Sequence, residues 1–480
     1  MTIEPRVVKK LYLAIYELHP GSLLSVHSHR QTVDMSKSIF RFVAAPESTK
    51  LKINTMKKNW IGILTVGLAL GTAWAVRGQF GHEQGAAWAG GIGALVFILV
   101  SGRNDWYKKV FTITLSSAIG WGVGGMISYG RVVGFGRSDH FPNVFYGLLM
   151  LFVIGALFGL LGGGLTALSL QSTNGKKVKW GRLLGEMVGG GVIAYYFLIN
   201  QLWVYMTPPR SEAWAVCFGG GLAMLWHMAR NNYSSPIRVA IITAMGAGFG
   251  FSFGNFLQTL GTVLEINFNM WNVMEYSIGF FGGTSMAYSI FTSRWPEQST
   301  APVKWENRAA FLIFLVLIPL IVFRQSLQFS KLSSRLGDLV NNESILLLSS
   351  YVAAAVMVAM IIICGLILYR SKIAYSRNDI MKLMVSYFIT FIIISYIVTG
   401  ALTGRFHLNH HLYVVNFLVI GYLLSLKKPV AFSPKKQEVN RKLWLIYLIG
   451  IIVVIIFLAL ISISIHDGIP GAQYRFPLNG

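Results

Sequence analysis

Apolar residues in this chain come in long blocks separated by short polar, basic stretches, and the blocks recur from residue 60 almost to the end. Blocks of roughly 17–25 residues are long enough to cross a hydrocarbon core as helices. In lipid, only helices or closed barrels satisfy their own backbone polar groups, and barrel strands would alternate apolar and polar residues over about ten positions. These blocks do not alternate. The pattern predicts an all-α polytopic membrane protein with about thirteen transmembrane helices, at 60–76, 86–101, 111–129, 144–170, 183–206, 212–229, 239–259, 273–292, 309–324, 344–369, 383–402, 412–426 and 443–465.

Composition agrees. The chain is 54% hydrophobic and 12% charged, where a soluble chain carries about a quarter charged residues. A net charge of +23 would ordinarily raise nucleic acid as a partner. Here the basic residues lie between apolar blocks, where they set topology, so the expected partner is the lipid bilayer and not nucleic acid. Taken in alternation from Lys57, one face holds 24 basic residues and the other 9. The positive-inside rule then puts the amino terminus in the cytoplasm and the carboxyl terminus outside, in a cytoplasmic (inner) membrane. Cys217 and Cys364 both fall inside spans and read as small packing residues.

Glycine divides the chain. Of 50 glycines, 40 fall in 56–295 and 9 follow, where the spans turn to Ile, Leu and Val. The expected organisation is a leader or cytoplasmic tail at 1–55, a glycine-rich core of two four-helix repeats at 56–171 and 172–295, a cytoplasmic linker at 296–308, and a five-helix aliphatic unit at 309–480. The repeat rests on AAWAGGIGALVFILVSGRN (86–104) against EAWAVCFGGGLAMLWHMARN (212–231), and on a looser match of the following spans. Four spans is an even number, so the halves would be parallel repeats with their loops on common faces. Glycines spaced at i, i+4, such as Gly67/Gly71 and Gly279/Gly283, are expected to let helix backbones approach closely. The clusters 189–191 and 219–221 are the ones that could instead leave room for a ligand.

Candidate chemistry collects on the outer face. RGQFGHEQGAAWAGG (77–91) packs an arginine, a histidine and a glutamate into seven residues, and TPPRSEAWAVCFGGG (207–221) echoes it. Charges at a bilayer rim are costly and usually line a polar site. The expected substrate-binding set is Arg77, Gln79, His82, Glu83, Arg131, Arg210, Glu212, Gln258, Asn272 and Glu275. Arg77, Arg131 and Arg210 lie on the sparsely basic face, either to grip an anion bidentately or to pair with Glu83, Glu212 and Glu275. Glu275 and Glu186 are the intramembrane carboxylates suited to couple a proton or sodium ion. HEQGA lacks the HExxH spacing of a zinc protease. His407, His410 and His411 could share a helical face and hold a metal, without nearby Cys, Asp or Glu to strengthen the case. Trp74, Trp88, Trp203, Trp214 and Trp271 read as an aromatic belt at the outer interface.

The leading expectation is a secondary transporter or permease that binds a polar or anionic small molecule in an outward-facing cavity between the two repeats, with no cofactor beyond a coupling H+ or Na+. The alternatives are a membrane-embedded transferase or hydrolase acting on a lipid or lipid-linked sugar, with His82 as base and Glu83 or Glu212 as its partner, and a scaffold subunit. A homo-oligomer is compatible with each. Orientation has a direct check. A membrane-impermeant maleimide should label Ser211→Cys on intact cells and Asn174→Cys only after permeabilisation, and the opposite pattern would reverse the topology.

Overall fold

The computed structural model describes residues 47–297, 304–340, 342–371, 375–397, 408–426, 429–430, 432 and 441–477, with backbone alone for 47–59, Lys304 and Ser371. Most of the leader, the middle of the linker and His407 lie outside the described residues. Among those described, regular structure is entirely helical. The helices are α1 (Glu47–Arg77), α2 (His82–Ser101), a short α3 (Asn104–Tyr107), α4 (Val110–Gly125), a short α5 (Gly130–Phe135), α6 (Phe141–Gln171) and α7 (Trp180–Tyr195), which continues as a π turn to Gln201. They are followed by α8 (Ala213–Arg230), α9 (Ser234–Val263), α10 (Met270–Phe291) and α11 (Lys304–Leu312), which runs on through π turns to Leu327. The chain continues with α12 (Phe329–Leu336), α13 (Glu343–Ser371), α14 (Arg377–Ser395), α15 (Leu408–Ser425) and α16 (Arg441–Ile465).

Ten of the described helices are long and apolar enough to cross a membrane, which makes the chain a multi-pass helical membrane protein. The expected spans 111–129, 212–229 and 273–292 are also helices, but α4 is only 16 residues long and α8 and α10 are less apolar than the rest. Helix α1 begins ahead of the boundary placed at residue 55.

Helices α1, α2, α4, α6, α9 and α10 pack in succession into a closed ring. Lipid offers helices no hydrophobic reason to pair, so close van der Waals approach must hold them, and small residues permit it. The seam between α1 and α10 is glycine on both sides. A Cβ at Gly279 would lie 2.5 Å from the Leu70 carbonyl oxygen and 2.8 Å from Gly71 Cα, and one at Gly283 would lie 3.0 Å from the Val66 carbonyl oxygen. Within the clusters 189–191 and 219–221, Gly190 and Gly219 serve the same end by bringing the α7 and α8 backbones together, while an added Cβ at Gly189 would meet nothing within 4 Å.

The α7–α8 hairpin leans on the outside of the ring through α8 and α6. The two halves therefore sit in unlike surroundings. Helix α10 lies along α1, while α6 and α7, the pair a two-fold repeat would make equivalent, share no comparable seam. The five later spans are continuous with the ring: α15 packs on α1, α14 on α2, and α16 on α6 and α9. Trp88 shows the join, with its ring stacked between Tyr387 and Phe391 and its indole N–H donating to the Tyr387 carbonyl at 3.2 Å. Trp74 and Trp88 are wholly buried and Trp214 nearly so, which removes them from any interfacial belt, whereas Trp203 and Trp271 are exposed. The ring is filled by aromatic side chains. Trp74 meets Trp121 edge-on at 5.1 Å and Phe158 at 5.6 Å, and Phe158 stacks on Phe251 at 6.0 Å.

The α1–α10 seam gives a paired test. Gly279→Ala must push backbone away from backbone and should cost about 1–3 kcal/mol, seen as a lower unfolding temperature in detergent. Gly185→Ala, where an added Cβ meets nothing within 4 Å, should be neutral or mildly stabilising. Equal effects would show that the seam does not hold the ring.

Candidate functional site

Helix α1 ends at Arg77, and the turn 78–81 reverses the chain into α2 at His82. At the same end of the bundle α4 stops at Gly125, the chain turns through Tyr129, and α10 opens at Met270. These three chain reversals place Arg77, Tyr129 and Glu275 in contact. Arg77 Nη2 donates to Glu275 Oε2 at 2.7 Å and to the Tyr129 hydroxyl at 3.2 Å. The Tyr129 hydroxyl in turn donates to Glu275 Oε1 at 2.5 Å. The guanidinium is wholly buried and its carbon sits 4.4 Å over the Trp74 ring, so the aromatic filling of the ring forms its floor. Arg77 Nη1 also reaches His82 Nδ1 at 3.5 Å, and the His82 ring packs edge-on against Tyr129.

Above this floor opens a cavity of about 800 Å³. Of the expected residues, Gln79, His82, Arg131, Arg210, Asn272 and Glu275 line it, while Arg77 lies just beneath. The charge balance inside is uneven. Glu275 is the one acidic residue in the lining, and it is paired with Arg77. Arg131 spends only Nε, on the Pro208 carbonyl at 3.3 Å. Neither Arg131 nor the Arg210 side chain has an acidic partner among the described residues. The cavity is therefore cationic.

Four expected residues lie elsewhere. Glu83 is exposed one position past His82, because the first turn of α2 rotates it away from the cavity. The Glu212 carboxylate is buried and consumed by its own loop, accepting from the Met206 and Thr207 amides and from Trp214 Nε1 at 2.7 Å. Gln258 is buried on α9 and accepts from Asn255 Nδ2 at 3.3 Å, behind the cavity wall. Glu186 sits at the opposite end of the bundle, gripped by Arg182 at 2.9 Å, Arg230 at 2.5 Å and His227 at 3.0 Å. An ion-paired carboxylate there is poorly placed to couple to this cavity. Among the described residues His82 makes no hydrogen bond to a carboxylate of the kind a general base in a hydrolase would use; its contact is with Arg77.

The later helices complete the wall. Asn409 and His410 on α15, Leu339 after α12, and Gln473 beyond α16 all line the cavity. Asn272 Oδ1 accepts from the Tyr413 hydroxyl and from Asn409 Nδ2, and Gln79 Oε1 accepts from Ser395 Oγ at 2.8 Å. The carboxyl-terminal segment is laced down beside it. Gln473 N donates to the Gly134 carbonyl at 2.9 Å, and Asn143 Oδ1 accepts from the amides of Arg475 and Phe476. His410 and His411 diverge, since His410 faces the cavity and His411 meets the Tyr396 hydroxyl at 3.1 Å. No group of metal-ligating side chains occurs among the described residues. Tyr129, Asn409 and Gln473 were not singled out from sequence. Tyr129 had a signal, since it stands two residues before Arg131 in a short polar turn, but nothing local distinguishes Gln473.

These features define a multi-pass helical membrane protein with a cationic cavity at one end of a closed helical ring. No family model, curated protein or solved structure matches the chain.

The buried pair predicts a specific stability pattern. Arg77→Met or Glu275→Met leaves one buried charge uncompensated and should cost about 3–5 kcal/mol. The double variant Arg77→Met/Glu275→Met should recover most of that loss, as read by thermal unfolding in detergent. Additive losses would mean that the two side chains act independently.

Proposed function

We propose that the protein is a secondary transporter of the cytoplasmic membrane that binds an anionic small molecule in this cavity from the outer side. The observation that carries the reading is the pair of arginines, Arg131 and Arg210, lining the cavity without acidic partners among the described residues. A guanidinium fork suits a carboxylate or phosphate, and partial removal from water strengthens the contact. The lining amides of Asn269, Asn272 and Asn409 supply donors and acceptors for the polar remainder of such a solute.

Glu275 is the coupling residue in this reading. Its carboxylate and a bound anion compete for the same buried guanidinium, so protonation of Glu275 would free Arg77 for the substrate and link one proton to one anion. The aromatic floor closes the cavity from below, and the glycine-on-glycine seam between α1 and α10 is where the ring can slide to open it. The full topology of thirteen crossings includes α4, α8 and α10, with the amino terminus inside and the carboxyl terminus outside. A duplicated four-helix unit accounts for the sequence echoes, even though α7 and α8 now pack outside the ring. The transferase or hydrolase reading lacks a base hydrogen-bonded to its partner, since His82 bonds neither Glu83 nor Glu212 among the described residues.

Reconstituted protein should take up phosphate, a dicarboxylate or a sugar phosphate from a panel of solutes when a proton or sodium gradient is imposed. Arg131→Ala and Arg210→Ala should each raise KM about tenfold, the weight of one charge-assisted contact. Uptake confined to neutral or cationic solutes, or an absence of gradient-driven flux across the panel, would sink the proposal.

A further inference from the structure

A second cavity, of about 1020 Å³, opens on the side of the bundle between α16 and the α9–α10 pair. Ile455, Leu458 and Ala459 of α16 are buried in a cluster with α6 and α9, while Ile446 and Tyr447, nearer its start and lining the cavity, are exposed. The walls are apolar, with Ile242, Met245 and Phe249 on α9 facing Trp444, Ile451 and Val454 on α16. Gly450, where an added Cβ would meet nothing within 4 Å, keeps the centre of the groove open.

One end of the groove is charged. Arg238 lines it, four residues into α9, with Nη1 donating to the Ser289 carbonyl at 2.8 Å and to Ser293 Oγ at 2.9 Å. Those bonds hold the guanidinium against α10, its carbon 5.8 Å from the Tyr288 ring centroid, and Nε and Nη2 make no hydrogen bond among the described residues. Arg238 has no acidic partner there either. Arg441 and Lys442 open α16 at the same end. From Arg238 to Phe249 the stripe rises about 16 Å at about 1.5 Å per residue. One leaflet of a hydrocarbon core about 30 Å thick is about 15 Å deep.

We propose that this groove is a binding site for one anionic phospholipid of the leaflet at the Arg238 end, its phosphate on Arg238 and its acyl chains between α9 and α16. Charge, polarity gradient and depth all match such a molecule. A fixed guanidinium at the mouth favours an anionic headgroup over a zwitterionic one, whose own ammonium would be brought toward three cationic side chains. The site is separate from the outer cavity and does not depend on what that cavity binds.

Native mass spectrometry of the delipidated full chain, titrated with phosphatidylglycerol or phosphatidylcholine, tests this. One phosphatidylglycerol should bind about tenfold more tightly than phosphatidylcholine, the factor expected for a charge-assisted contact. Arg238→Gln should erase the preference while leaving phosphatidylcholine binding unchanged, and Arg238→Lys should keep part of it. Gly450→Trp should fill the groove and abolish the single tight adduct of either lipid. Equal affinity for the two lipids in the wild type, an undiminished preference in Arg238→Gln, or a lipid-free dimer closing the groove would each overturn the assignment.

Discussion

A guanidinium with no access to water sits between a carboxylate and a tryptophan ring, and the geometry around it follows from the cost of leaving it unpaired. An uncompensated charge in a low-dielectric interior is far more costly than the same charge in water. Arg77 therefore ties the end of α1 to the start of α10 through Glu275, and both to the turn after α4 through Tyr129. The glycine seam brings α1 and α10 close enough for that contact. Three connections that are distant in sequence meet at one point, and the space above them becomes the cavity.

The two ends of the bundle differ in how they treat charge. At the Arg77 end, two further arginines line the cavity with no acidic partner among the described residues. Several of the ions at the other end are spent on structure. Arg182, Arg230 and His227 converge on Glu186, and Arg103 grips Asp105 at 2.6 Å. Lys109 donates to the Ser169 and Ser172 carbonyls, capping the last turn of α6, and burial lowers its pKa to about 8. The α6 carbonyl ends give that cation hydrogen bonds, and Asp105 and Glu306 act on it only through space, which leaves desolvation as the larger effect. Arg131 and Arg210, lining the cavity without an acidic partner among the described residues, give it its chemical character.

The aliphatic helices are more than a lipid-facing annex. Their first contribution is mechanical, since Tyr387 and Phe391 sandwich Trp88 and fix α14 against α2. Their second is chemical. Asn409 and Tyr413 both hydrogen-bond Asn272, so the α15 wall is held in register with the start of α10. A shift from glycine to Ile and Leu along the chain marks a change in how closely backbones pack. It does not mark where one structural unit ends, because packing of side chain on backbone can continue across it.

Hydropathy alone marked this chain as a helical membrane protein and located ten helices long and apolar enough to cross a membrane, because satisfying backbone hydrogen bonds in lipid is a local requirement. Alternation of basic loops determined which connections share an end, and the cavity draws its lining from connections assigned to one face. Sequence could also name Arg77, Arg131, Arg210 and Glu275 as costly residues in costly places. Only the tertiary structure decided their partners. Whether Glu83 or Glu275 meets Arg77 depends on the rotation of α2 and on α10 lying beside α1, and neither is encoded within any one helix. The same holds for Glu212, whose carboxylate looks free in the sequence until its loop folds around it, and for Gln473, which reaches the cavity only because the chain after α16 returns across α5 and α6.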